Sequence, residues 1–121
     1  MPDQQKLVIM ATHGPEDPEQ ATIPFVMACA ALASDVDVVI GFQANGVCLA
    51  HVGEAETVNA AGFPPLAKLV DDFRELGGTL LVCAPCVKSR GFENALVPGA
   101  EIVAAARFVA EVTSATNALV Y

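Results

Sequence analysis

Lys6-Leu7-Val8-Ile9-Met10-Ala11-Thr12-His13-Gly14-Pro15-Glu16-Asp17-Pro18 carries the reading of the fold. A continuous apolar run that stops abruptly at a polar Thr-His-Gly-Pro loop suits a β-strand buried on both faces, as in a parallel sheet. A helix start comes next. Asp17 can cap it, Pro18 fits its first position, and Gln20 stands three residues after the cap, where a capping-box partner belongs. From Ala21 to Ala33 this helix is apolar nearly all round, so it should be covered on several sides, by the sheet and by another subunit. Pro24 predicts a kink, or a later helix start near Thr22.

The same alternation continues outward. Val36 to Phe42 reads as a second strand, closed by a polar turn at Gln43-Ala44-Asn45-Gly46, while Val47 to Val52 is ambiguous. Pro64 and Pro65 open a helix with Leu66, Leu69, Val70, Phe73 and Leu76 at helical spacing, and Gly77-Gly78 ends it. Thr79 to Cys83 reads as a third buried strand, followed by a short helix. A short strand at Glu101 to Val103, a helix over Ala104 to Ser114 and a last strand at Asn117 to Tyr121 complete the chain. Strands alternating with helices predict an α/β fold with a mostly parallel five-stranded sheet covered on both faces.

Composition bounds the function. The 121 residues form one expected domain, 1–121, with a formal charge of −8, 54% hydrophobic and only 17% charged residues. Such a chain can bury a core without disulfide or metal staples. So few charges leave little to cover a monomer's surface, which points to a homo-oligomer. The acidic balance argues against nucleic-acid and membrane partners. Neither a signal peptide nor a spanning segment is visible, so the expected location is cytoplasmic. With no phosphate loop, nucleophilic-serine elbow or basic-aromatic motif, no cofactor is expected.

In an open parallel sheet, reactive groups gather beyond the carboxyl ends of the strands. His13 follows the first strand, Asn45, Cys48 and His51 follow the second, and Cys83 and Cys86 follow the third. The sharpest feature is Cys83-Ala84-Pro85-Cys86-Val87-Lys88-Ser89-Arg90-Gly91. Lys88 and Arg90 are two of only six basic residues, and both lie within seven positions of Cys83. Their charge is expected to lower the thiol pKa and to attract an anionic sulfur species. Cys29, inside the apolar helix, reads as packing. His13 is a candidate thiolate partner, base or turn residue.

Three chemistries fit the cysteine turn. Cys83 can take sulfur as a persulfide and pass it on. Cys83 and Cys86 can exchange dithiol and disulfide, although the position of the motif and the missing tryptophan weigh against a thioredoxin-like fold. The pair also offers half a zinc site, which His13, Cys48 or His51 would complete, but no second pair at conventional spacing exists and no metal is expected. A non-catalytic oligomeric module that binds a small ligand is the competing class.

Thr12-His13-Gly14-Pro15-Glu16 after an opening apolar strand, Gly46-Val47 after the second, and a strand ending in Cys83 followed by Arg90-Gly91 together resemble the DsrE/DsrF-like proteins. The resemblance runs from about Lys6 to Tyr121. It implies a three-layer α/β/α fold, trimers or hexamers of small subunits, and cysteine persulfide relay between sulfur donor and acceptor proteins, in sulfur oxidation or tRNA thiolation. The family's sulfur-accepting cysteine lies at a strand end, eight residues before the glycine of an Arg-Gly pair, and Cys83 holds that position relative to Gly91. Cys86 is not part of the general pattern. The resemblance thus assigns Cys83 the persulfide; from the residues themselves, Cys86 is expected to assist or resolve, and Lys88, Arg90, His13 and Asn45 are candidates to hold substrate.

Overall fold

The computed structural model describes residues 4–121; residues 1–3, on which the reading of the N-terminus partly rests, lie outside it. The elements are β1 (Lys6–Ala11), α1 (Pro18–Ala33), β2 (Asp37–Phe42), α2 (Leu66–Glu75), β3 (Thr79–Cys83), α3 (Ala84–Arg90), β4 (Ala100–Val103), α4 (Ala105–Ser114) and β5 (Asn117–Val120). All five strands are parallel, in the order β4-β3-β2-β1-β5. The interior strands β1, β2 and β3 are the ones whose sequences are almost wholly apolar, because both of their faces are covered.

Alternation sorts those strands into two cores. Ile9, Ala11, Val38, Ile40, Phe42, Leu80 and Val82 share one cluster with α1 and α2. Val8, Met10, Val39 and Leu81 form the other with Val103 and with Phe108 of α4. The topology explains the split. Right-handed crossovers that step from β1 to β4 in one direction put α1, α2 and α3 on one face, and the return of α4 to the far side of β1 puts it on the other. The result is a three-layer α/β/α sandwich.

Local chemistry holds the helices in place. The Asp17 carboxylate accepts the Gln20 N–H at 3.2 Å, capping α1. The helix starts at Pro18 and runs through Pro24 without the later start expected near Thr22; Thr22 instead donates its hydroxyl to the Pro18 carbonyl at 2.7 Å. Phe25 of α1 meets the edge of Phe73 of α2 at 5.6 Å and lies 6.0 Å from Phe42 of β2, so three aromatic rings tie the two helices to the sheet. On the opposite face, a Cβ on Gly41 would stand 2.6 Å from the Phe108 ring, so a glycine in mid-strand lets α4 approach.

The expected turn at Gln43–Gly46 differs. After Gln43 the chain enters a 3-10 segment, Ala44–Ala50, which also absorbs most of the ambiguous stretch. His51 then bridges Leu96 antiparallel and stacks on Phe92 at 4.4 Å. Among the described residues no helix is long and apolar enough to cross a membrane.

Candidate functional site: a thiol cluster beyond β1, β2 and β3

Neighbouring interior strands bring their carboxyl-end loops together. Gly14, after β1, lies against the Asn45 carbonyl, and Gly46, after β2, lies against the Ala11 carbonyl; a Cβ at either would sit well inside van der Waals distance of that backbone. The Gly14 N–H is held by both carboxylate oxygens of Glu16 at 3.0 Å. The Ala11 carbonyl also accepts the Gln43 N–H at 3.1 Å. The loop after β2 is thereby fixed between the first strand and the cysteine turn.

Cys83 ends β3 and stands at the cap of α3, with Cys86 three residues on. Both thiols are partly buried and unpaired. Cys86 is the neighbour that acts most on the Cys83 thiol, its side chain raising the pKa and its backbone lowering it. The Cys86 sulfur accepts the Ala44 N–H at 3.3 Å. Ala44 has φ +49°, an uncommon conformation for a residue with a side chain, and it is this turn of the backbone that accompanies the contact. Sequence reasoning missed Ala44, since neither a glycine nor an asparagine marks the left-handed position.

Arg90 closes the cluster. Its guanidinium donates to the Cys86 carbonyl at 3.0 Å and to the Asn45 side-chain oxygen at 2.7 Å, and its charge acts on Cys48. Gly91, in the left-handed conformation at φ +78°, ends α3 immediately afterwards. The site therefore brings together Cys83, Cys86, Arg90 and Asn45, and adds Cys48. His13 lies at the end of β1 with its Nδ1 3.4 Å from the Thr12 hydroxyl, and among the described residues it makes no hydrogen bond to a cysteine. Lys88 is exposed on α3.

The distribution of positive charge singles out this corner. Lys6, Lys68, Arg74 and Arg107 are each paired with a carboxylate. Among the described residues, Lys88 and Arg90 are in no ion pair, so the unneutralised side-chain cations of a −8 chain both belong to the helix that carries Cys86. They do not, however, lower the Cys83 pKa as expected. Burial pushes the Cys83 thiol up, the Cys86 side chain adds to this, and the opposing pulls of the Cys86 backbone and of Arg90 are weaker. Cys48 is also raised, first by burial, with Arg90 opposing and Glu54 and Glu16 adding. Cys29 is raised by burial and by Asp72; it directs its thiol to the Leu69 carbonyl at 3.6 Å and so serves the α1–α2 packing.

No three His, Cys, Asp or Glu side chains gather closely enough among the described residues to hold a metal ion. An apolar groove of about 240 Å³ lies elsewhere, between α4 and the sheet, lined by Met10, Gln43, Phe108, Val109, Val112 and Thr113. The groove holds no ionisable side chain, and its one hydroxyl, of Thr113, donates to the Val109 carbonyl at 2.8 Å, so the thiol cluster is the stronger candidate for chemistry.

Comparison with known proteins agrees with this architecture. The structure of the ychN protein from E. coli superposes with a TM-score of 0.83, covering 98% of this chain and 100% of that one at 20% identity. The uncharacterized protein MJ0989 of Methanocaldococcus jannaschii is 30% identical over 117 residues, 96% of this chain and 99% of its own length. The uncharacterized protein MJ0760 of the same organism is 34% identical over 105 residues; the match takes in 86% of this chain but only 38% of that relative. The model of the DsrE/DsrF-like family matches residues 5–121, and the chain belongs to that family.

Proposed function

We propose that the protein is a sulfur carrier in which Cys83 bears a persulfide. The observation that carries this reading is the setting of Cys83, which ends an interior strand and caps α3, the helix whose Arg90 is bound to the Cys86 carbonyl and to Asn45. In the loading step, the Cys83 thiolate attacks the outer sulfur of a persulfide donor, R–S–SH. The Cys83–sulfur bond forms, the donor S–S bond breaks, and the donor leaves as R–S⁻. An acceptor thiolate then removes the sulfur in the same way. Arg90, braced by Asn45, offers its charge to the sulfur anions of both steps, and exposed Lys88 adds attraction for an anionic donor.

Because burial holds the Cys83 proton, loading accelerates as pH rises. Incubation with a small persulfide and then intact-mass measurement should show the gain of one sulfur atom. Persistence of that gain in Cys83→Ser assigns the sulfur elsewhere.

The placing of two free thiols three residues apart across the first turn of α3 favours a second reading, dithiol–disulfide exchange by Cys83 and Cys86. It requires a reversible disulfide with no persulfide stage, which a thiol count before and after mild oxidation detects. In either reading we infer a homo-oligomer, supported by the exposed Val109, Val112 and Val120 on the α4 and β5 side. Four free thiols fit a reducing, cytoplasmic setting.

A further inference from the structure

We propose that Cys86 discharges the Cys83 persulfide as sulfide and closes a Cys83–Cys86 disulfide, making the site a persulfide-cleaving centre as well as a carrier. This rests on the carrier reading and concerns what happens after loading.

Their residues lie three apart across the first turn of α3, and Cys86 is the neighbour whose thiol and backbone act on the Cys83 sulfur. That separation keeps the side chains within about 5–6 Å of each other at Cβ, from which a disulfide forms with modest adjustment. Ala44 donates its backbone N–H to the Cys86 sulfur at 3.3 Å, and Arg90 donates to the Cys86 carbonyl at 3.0 Å. Cys86 is thus fixed about one helical turn from the atom it would attack.

The step balances without a further reactant. Cys86–S⁻ attacks the inner sulfur of Cys83–S–SH; the new S–S bond joins the two cysteines, the old one breaks, and HS⁻ leaves. The outer sulfur, at the level of elemental sulfur, is reduced to sulfide by two electrons, and the Cys83–Cys86 pair is oxidised to the disulfide by the same two. Attack at the inner sulfur joins the two cysteines and expels the small HS⁻ ion; displacement at sulfur is in line, so the step requires the outer sulfur to project away from Cys86. Turnover then needs an external thiol reductant to reopen the disulfide.

Magnitude decides between discharge and simple hand-over. A well-oriented intramolecular nucleophile has an effective concentration on the order of 10⁵ M or more, whereas a cellular acceptor thiol is millimolar. Even if imperfect alignment removes most of that advantage, Cys86 competes ahead of any acceptor that does not displace it.

The test loads wild-type protein, Cys86→Ser and Cys83→Ser with cysteine persulfide, removes the donor by gel filtration, and tracks released sulfide together with intact mass under non-reducing conditions. Discharge predicts one sulfide per wild-type chain and a product two hydrogens lighter than the reduced protein. Cys86→Ser should keep the added sulfur and release sulfide at least about 10-fold more slowly. Equal sulfide release by wild type and Cys86→Ser, or an equally durable adduct on both, overturns the discharge while leaving the carrier reading intact. Absence of any adduct on Cys83 in Cys86→Ser overturns the carrier reading and the discharge with it.

Discussion

Replacing Gly46 by alanine should cost about 3 kcal/mol and disturb the thiol cluster from a distance. The added Cβ would be driven into the carbonyl of Ala11 and would stand 2.8 Å from its carbon. Neither side can yield cheaply. Ala11 is the last residue of β1, paired in register with Phe42, and its carbonyl already accepts the Gln43 N–H. Overpacking a buried site typically costs about 1–3 kcal/mol, and a contact between two backbones belongs at the upper end. With an unfolding entropy of about 2.1 cal/mol/K per residue, a chain of 121 residues loses roughly 4 °C of Tm per kcal/mol, so Gly46→Ala should fall by about 12 °C. Gly53→Ala is the comparison, since a Cβ there meets nothing within 4 Å but must adopt φ +92°, which costs about 1 kcal/mol or roughly 4 °C. Thermal unfolding monitored by circular dichroism measures both. Because the displaced segment carries the Ala44 N–H that holds Cys86, alkylation of Cys86 should change in Gly46→Ala and stay as wild type in Gly53→Ala. Equal Tm losses in the two variants, or a Gly46→Ala Tm within about 2 °C of wild type, would refute the reasoning.

Thiolate-selective alkylation of Cys83 should rise with pH along a curve whose midpoint lies above the ordinary 9.0, because burial and the Cys86 side chain raise the thiol; a midpoint at or below 9.0 contradicts this. The same sign governs stability. The contribution of this buried thiol is fully present below pH 9.0 and is lost as pH rises through the raised value of the folded protein, visible as alkaline loss of Tm that Cys83→Ala reduces. Asn45→Ala should slow persulfide loading several-fold with little change in Tm, since it frees an exposed Arg90 from its 2.7 Å partner; unchanged loading would remove Asn45 from the site. Glu111 receives Lys6 Nζ and Arg107 Nε, each at 2.6 Å, and these donors hold its carboxyl below the ordinary 4.5. Its stabilisation is therefore present above 4.5 and lost as pH falls through the depressed value, so wild type should lose more stability than Glu111→Gln on acidification from about pH 6 to pH 3, as read by urea midpoints. Parallel losses would mean that the network contributes nothing.

The strands are legible in the sequence for a physical reason. β1, β2 and β3 are covered on both faces, so their sequences have to be continuous apolar runs, and Thr79–Cys83 agrees with its expected limits. Their lateral order is not legible. Handedness constrains each crossover, but nothing in Asn117–Val120 says that it pairs with β1 and not with β4. The loop after β2 misleads for a different reason: Gln43-Ala44-Asn45-Gly46 has the composition of a turn, and only the packing of Gly46 on Ala11 makes it the start of a 3-10 segment.

The cysteines show most clearly how proximity in sequence differs from proximity in space. Lys88 and Arg90 come five and seven residues after Cys83, a spacing that suggests a depressed thiol. In a helix each residue advances about 1.5 Å, so the Arg90 backbone lies on the order of 10 Å from Cys83 along α3. Its side chain reaches back only as far as the Cys86 carbonyl, where Asn45 holds it. Burial acts on the sulfur at contact, whereas the guanidinium acts from a distance and partly through solvent, and the nearer effect wins. This changes what the two cations can do. They do not activate the resting thiol. Their charge becomes useful once sulfur arrives as an anion, when the donor approaches and when sulfide or an acceptor leaves. A protonated resting Cys83 also loads slowly and, once loaded, has Cys86, the discharging thiol we propose, about one helical turn away. That ordering makes the rate of loading the quantity most sensitive to pH and the fate of the sulfur the quantity most sensitive to Cys86.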